Sequence, residues 1–183
     1  MKRNCAVAGM ISSVGFLILW IISALLAPSW QLGSYSLSDL GVCGDQSAEL
    51  CFNLACGLSG SMAIIFSLGV TKLEDNFRYC GFVTLISGFA LICIGVITLR
   101  YGIAHNIVAG IYFLTAVISV ILSIYLDRKD GRKGFSIFDG ILFFVMLISA
   151  LTQVFEVYEP IVVSCILVWT FAHSYRLFLE CTD

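Results

Sequence analysis

One group of ionisable residues lies inside or at the ends of apolar runs, where charge is costly. It comprises Asp139, His173 and Arg176. Ionisable side chains within membrane-depth segments tend to be functional, and an imidazole can exchange a proton near neutral pH. We predict an Asp139–His173 or an Asp139–Arg176 pair. Such a pair would be either a polar tether between two helices or one step of a proton or ion relay.

A second group falls in or beside the connections between apolar runs, and it consists of Ser38, Asp39, Arg100, His105 and Glu156. A guanidinium suits phosphate or carboxylate ligands. Arg100 needs an acidic partner near lipid, for which Asp39 is the first candidate and Glu156 the second. We predict either an outer polar pocket or a salt bridge that pins the first loop.

Metal and thiol redox chemistry are not indicated. The two histidines, His105 and His173, are expected on opposite sides of a membrane, and the chain has no His-x-x-x-His or Cys-x-x-Cys spacing. We therefore expect no metal and no cofactor. Cys43 and Cys51 share one loop, where an oxidising compartment would permit a disulfide. The sequence leaves that pairing open.

The elements that must position these residues are apolar helices. The chain of 183 residues is 60% hydrophobic and 12% charged, whereas soluble domains are about 25% charged. Its apolar runs have about the length that a spanning helix needs, and they are too continuous for barrel strands. The predicted fold is all-α: a single domain over 1–183, a polytopic six-transmembrane-helix bundle with spans at 5–27, 53–70, 79–99, 107–126, 135–155 and 161–179 and an outer loop at 28–52. The first span is expected to be retained, not cleaved as a signal peptide.

The basic residues predict the orientation. Of the ten Lys and Arg residues, only Arg100 falls on one side of the predicted membrane. The positive-inside rule therefore places both termini in the cytoplasm. No basic face suggests nucleic acid as a partner. Membrane lipids are the expected partners, and association with a second copy or another membrane protein is left open.

Local patterns predict close packing and a capped turn. Small residues permit close helix contacts in lipid, and they line up in two seams, Ala55, Ser59, Gly60, Ala63 and Ser67 in the second span and Gly81, Gly88 and Gly95 in the third. In the first loop, Ser36 and Asp39 have capping-box spacing, which predicts a short interfacial helix ended or turned by Gly41.

The first loop also carries a family resemblance. The stretch Tyr35-Ser36-Leu37-Ser38-Asp39-Leu40-Gly41, followed by Ala48-Glu49-Leu50-Cys51-Phe52-Asn53, resembles the six-helix prokaryotic membrane family catalogued as domain of unknown function 998. His105 after the third span also fits. More distantly, the loop is similar to that of a eukaryotic family of autophagy-modulating and glycolipid-anchor-remodelling membrane proteins. The first resemblance implies a multi-pass protein of the prokaryotic cell membrane. The second implies lipid handling, without a catalytic residue.

These features favour an outer-face pocket that binds or helps remodel a lipid or amphiphile headgroup, with the first loop as its lid. One alternative is a small proton- or ion-coupled transporter or channel that uses Asp139 and His173. A second is a non-catalytic membrane assembly subunit. Whether the protein is an enzyme stays open, because no residue pattern specifies a reaction.

Overall fold

Six long helices make up a computed structural model that describes residues 2–151 and 154–181. They are α1 (Lys2–Leu26), α2 (Gln46–Val70), α3 (Arg78–Val96), α4 (Ile103–Lys129), α5 (Lys133–Leu151) and α6 (Phe155–Glu180), with 3-10 turns at Ser38–Val42 and Leu99–Tyr101. Each long helix is apolar and long enough to cross a membrane. The predicted all-α, six-span architecture is therefore confirmed.

The helices pack in chain order around a ring. Each contacts the next, and α6 returns to contact α1 and also touches α4. Six crossings bring both chain termini together with the α2–α3 and α4–α5 connections, at what we call the terminal end. The first loop and the α3–α4 and α5–α6 connections lie at the opposite end, the loop end. That the terminal end faces the cytoplasm stays a prediction.

The first loop is shorter than predicted, because α2 begins at Gln46 and not near residue 53. Asp45 is the N-cap, and its carboxylate accepts a hydrogen bond of 2.9 Å from the Ala48 amide. This cap satisfies an amide that would otherwise lack a partner, so the helix extends about two turns beyond the apolar run. In the same way, α6 begins before Pro160, which lies inside the helix. Residues 152 and 153, within the predicted fifth span, lie outside the described residues.

The remaining loop holds the predicted capping box. The Ser36 amide donates to Asp39 Oδ2 at 2.7 Å, and the Asp39 amide donates to Ser36 Oγ at 3.3 Å. This reciprocal pair opens the 3-10 turn Ser38–Val42. Gly41 lies inside that turn and does not end it.

The two predicted small-residue seams meet where α2 packs on α3. A Cβ atom at Gly60 would lie 2.7 Å from the Gly88 carbonyl oxygen, and one at Gly95 would lie 2.6 Å from the carbonyl oxygen of Asn53. Neither atom could fit without a backbone shift. Close backbone approach compensates for the weak hydrophobic force between helices in lipid.

The Gly60 contact generates a stability prediction. We expect Gly60→Ala to lower the free energy of unfolding by about 1–3 kcal/mol, because it overpacks a backbone contact. Gly57, also in α2, has open space around its Cβ position, so Gly57→Ala should be neutral or stabilise by up to about 1 kcal/mol. Unfolding in mixed detergent micelles would measure both. Equal unfolding midpoints for the two variants would contradict the packing account.

Candidate functional site

The predicted contact between Asp139 and His173 forms at the terminal end, deep between α5 and α6. The Nε2 atom of His173 lies 3.0 Å from Asp139 Oδ1 and 3.2 Å from Oδ2. Neither side chain is exposed. The two helices are antiparallel sequence neighbours, so the second turn of α5 and the penultimate turns of α6 share one depth.

Arg176 does not pair with Asp139, which was the other predicted option. Its Nη1 atom instead donates to both oxygens of Asp127, at 2.8 and 3.0 Å. The sequence analysis missed Asp127, because it opens a charged run that is typical of a turn. In the structure α4 continues to Lys129, and this extra turn leaves Asp127 with no exposed side-chain surface.

Arg132 connects the buried carboxylate to the membrane surface. It donates to Asp127 at 2.6 Å, to Asp75 at 2.7 Å and to Asp130 at 2.9 Å. Burial opposes ionisation of Asp130, but hydrogen bonds from Asn76 and Arg132 lower the pKa of its carboxyl below the ordinary value. Burial likewise opposes the charge of Arg132, yet its hydrogen bond to Asp127 and the nearby carboxylates raise its pKa. Both residues are therefore ionised at neutral pH.

Aromatic rings enclose the imidazole. Phe77 stacks on His173 with ring centroids 4.8 Å apart, and the rings of Trp169 and Phe135 lie at 4.8 and 5.3 Å. The Arg176 guanidinium lies 4.1 Å from the Phe77 ring centroid. Aromatic faces attract cations, more strongly where water is excluded. The enclosure therefore keeps the imidazole out of contact with water and holds the Arg176 guanidinium beside it.

Asp127 and Asp139 have different partners in the buried part of the cluster. Guanidinium groups neutralise Asp127, whereas the hydrogen-bonding partner given for Asp139 within the described residues is His173. The Asp139–His173 pair carries no net charge when it holds one extra proton, either as carboxylate with imidazolium or as carboxylic acid with imidazole. The net charge of the pair therefore depends on a single proton.

The surroundings of the second ring nitrogen of His173 favour a protonated Asp139–His173 pair. Among the described residues, Nδ1 has no hydrogen-bond partner, and Asp127 Oδ2 lies 4.0 Å away. A bare lone pair on Nδ1 would face that carboxylate oxygen, whereas an N–H would be attracted to it. Either arrangement of the protonated pair puts a hydrogen on Nδ1.

Asp127, Asp139 and His173 lie close enough together to be considered as ligands of a metal ion. Ligand atoms of Asp127, Asp139 and His173 lie within 4.8 Å of one another. However, Arg176 already donates to both Asp127 oxygens, and its positive charge would repel a cation. The donor set therefore suits a proton better than a metal.

A small cavity lies in the middle of the bundle beside this cluster. Its volume is about 40 Å³, and its lining is mostly apolar but includes Trp169 and the hydroxyl-bearing residues Ser12, Ser59, Thr84, Ser87 and Ser119. Trp169 also contacts the His173 ring and donates to Ser123 Oγ at 3.0 Å. A space of this size is large enough for a water molecule.

At the loop end, the predicted outer residues make separate contacts. Ser38 Oγ donates to Glu159 at 3.0 Å, next to the Leu37 amide, which donates to the same carboxylate at 2.7 Å. Asp39 is held by Ser36, and His105 Nδ1 lies 2.7 Å from the Ile97 carbonyl oxygen. In the described part of the chain, no hydrogen bond joins two of the five predicted residues. Glu159 was not predicted as a site residue, because it lies just before the predicted sixth span and only the earlier start of α6 places it inside a helix.

The predicted partners of Arg100 were wrong. Arg100 pairs with Glu49 at 2.7 Å, and not with Asp39 or Glu156. Because α2 begins early, Glu49 lies in its first turn, within reach of the α3–α4 connection. The Arg100 side chain is 64% exposed, so this is a surface ion pair.

The disulfide that the sequence left open is not formed. Cys43 and Cys51 are both free thiols. The Sγ atom of Cys43 lies 3.8 Å from the carbonyl oxygen of Asp45.

The fold defines an integral, multi-pass membrane protein with six apolar helices. The sequence profile of the DUF998 family, described as a protein of unknown function, matches residues 10–176, and the chain belongs to this family. The matched range includes the first loop, Asp127, Asp139 and His173. No curated protein and no solved structure matches the chain. The family resemblance is thus confirmed, and the more distant eukaryotic relation stays a prediction.

Asp127 generates a second stability prediction. Asp127→Asn leaves two guanidinium groups without their buried counterion, and we expect a loss of about 3–5 kcal/mol in the free energy of unfolding. Glu49→Gln, which removes the exposed pair with Arg100, should cost about 1 kcal/mol or less. Detergent unfolding of both variants checks this difference. A loss for Asp127→Asn no larger than that for Glu49→Gln would refute the counterion role.

Proposed function

We propose that this protein moves protons across the membrane as a small proton-coupled transporter or channel, with the Asp139–His173 pair as its proton-binding centre. The observation that carries the proposal is that, among the described residues, Asp139 forms no ion pair with an arginine and has His173 as its hydrogen-bonding partner. The pair must gain or lose one proton to change its charge. We further propose that the terminal end faces the cytoplasm of a prokaryotic cell.

The proposed entry to this centre is the exposed side of the network around Arg132, where Arg132, Asp75 and Asp130 are all partly exposed and in reach of water. The guanidinium keeps its own protons, so Asp127, whose Oδ2 lies 4.0 Å from His173 Nδ1, would pass the proton inward. On the other side of His173, Trp169 borders the small cavity with its hydroxyl-bearing residues. Hydroxyl groups and water both donate and accept hydrogen bonds, and they can therefore pass a proton onward.

The proposal predicts a proton flux that depends on Asp139. In proteoliposomes with an entrapped pH-sensitive dye, a potassium diffusion potential should drive proton entry through the wild type. Asp139→Asn and His173→Gln should lower the rate at least about tenfold, which corresponds to about 1.4 kcal/mol in barrier height. Neither variant can form the Asp139–His173 pair, whose proton the proposal requires to exchange.

Glu74→Gln is the matched control, because Glu74 is an exposed carboxylate at the same end. Its rate should equal that of the wild type. A wild-type rate no higher than that of protein-free liposomes, or an unchanged rate in Asp139→Asn, would reject the proposal.

A second candidate function is binding of a lipid headgroup at the loop end. The observation that favours it is a cavity of about 260 Å³ lined by Ser29, Trp30, Tyr35, Asp39, Val42 and Cys43. Trp and Tyr are typical of the membrane–water interface. Since Asp39 lines the cavity and Arg100 does not, the headgroup should carry an amine or hydroxyl groups.

This candidate predicts a lipid retained through Asp39. Native mass spectrometry of the wild type with added phosphatidylethanolamine should detect one bound lipid. Asp39→Asn should reduce its occupancy several-fold, because removing the charge weakens a charge-assisted hydrogen bond to the amine. Arg100→Gln is the control and should retain the lipid. Equal occupancy in the wild type and Asp39→Asn would exclude this headgroup site.

A further inference from the structure

An apolar groove runs along the lipid-facing side of α6. Helices α1 and α5 both pack on α6, and α6 forms the floor between them. The groove has a volume of about 420 Å³, and it is lined by Val14 and Leu17 of α1, Phe138 of α5, and Leu167, Phe171 and Ala172 of α6. A second cavity of about 320 Å³ shares Phe138 and Ala172 and extends to Gly134 at the start of α5.

The groove and its approach are as long as one membrane leaflet. From Leu167 to Phe178, α6 rises about 16 Å at 1.5 Å per residue. The hydrocarbon core of a bilayer is about 30 Å thick, so half of it is about 15 Å. The α6 residues that line the groove, Leu167 to Ala172, therefore lie near the bilayer centre, and α6 continues beyond them to the surface at the terminal end. The groove and this approach together have the length that one acyl chain occupies.

Basic residues lie at the starts of α1 and α5, the two walls of the groove, where these helices reach the membrane surface at the terminal end. Helix α1 starts with Lys2 and Arg3, and α5 starts with Lys133. The Arg3 guanidinium lies over the Phe178 ring, 4.9 Å from its centroid. Phe178 belongs to α6, the helix that forms the floor of the groove. Arg3 and Lys133 are both exposed.

Within residues 2–151 and 154–181, neither Arg3 nor Lys133 forms an ion pair with a carboxylate, because the neighbouring acidic residues have other partners. Arg132 is already neutralised by three carboxylates. Glu180, the acidic residue at the end of the floor helix, lies 3.7 Å from the Arg176 guanidinium.

We propose that this groove binds one anionic phospholipid from the leaflet at the terminal end, with an acyl chain in the groove and its phosphate at Arg3 and Lys133. Bulk lipid is as apolar as the groove, so apolar contact alone gives no selectivity. The basic residues supply it, since each contributes about 1 kcal/mol of attraction to anionic lipid. A second copy of the chain packed across the groove would bring the same basic residues together and is disfavoured by repulsion.

The test uses the full chain, delipidated in detergent and offered equal amounts of phosphatidylglycerol and phosphatidylethanolamine with identical acyl chains. Native mass spectrometry should show one retained phosphatidylglycerol. In the double variant Arg3→Gln/Lys133→Gln, the preference for phosphatidylglycerol should fall about thirtyfold. The control Arg128→Gln/Lys129→Gln removes two exposed charges at the same end on α4 and should keep the preference.

A second pair of variants tests the groove itself. Ala172→Phe fills the groove and should abolish retention of phosphatidylglycerol. Ala150→Phe adds the same ring at an exposed position of α5 and should not. Equal loss in both double variants would show general charge attraction and overturn the site, as would full retention of phosphatidylglycerol in Ala172→Phe. Circular dichroism of each variant confirms that it is folded.

Discussion

The terminal end of the bundle depends on neutralising one buried carboxylate, Asp127. Its partners, Arg132 and Arg176, come from the α4–α5 connection and from α6. Because an unpaired ion at this depth costs several kcal/mol, the three segments can close only where these pairs form. Asp139 meets His173 beside these pairs. The proposed proton site therefore adjoins a charge cluster that is already neutralised.

The two ends of the protein satisfy their buried carboxylates in different ways. At the terminal end, Asp127 receives charged donors. At the loop end, Glu159 receives a backbone amide from Leu37 and a hydroxyl from Ser38, which are neutral donors. The first loop is therefore attached to α6 directly, and through Asn53, which donates to the Gly41 carbonyl oxygen, it is attached to α2. The central cavity lies between these two polar ends.

The proposed proton centre and the proposed lipid groove both contact the Phe135 ring. Phe135 packs against His173 and lies under the Arg176 guanidinium, and it also lines the cavity at the mouth of the groove. An aromatic ring between the two separates a charged, dry cluster from lipid, and it stabilises cations on its protein-facing side. The position of this ring would allow lipid occupancy and the state of the cluster to influence each other through one side chain.

The sequence by itself determined the six spans, because hydropathy and run length report a local preference for lipid. It also predicted the two small-residue seams, the Ser36–Asp39 box and a partner for Asp139 in either His173 or Arg176, since each follows from periodicity or from adjacent antiparallel helices; the structure decided that Gly60 meets Gly88 and that His173 is the partner. Tertiary structure alone decided the burial of Asp127, the Arg100–Glu49 pair and the binding of Glu159 to Leu37. Those partners lie far apart in the chain or depend on where a helix ends. Which charged groups form a pair is decided only when packing brings them together and excludes water.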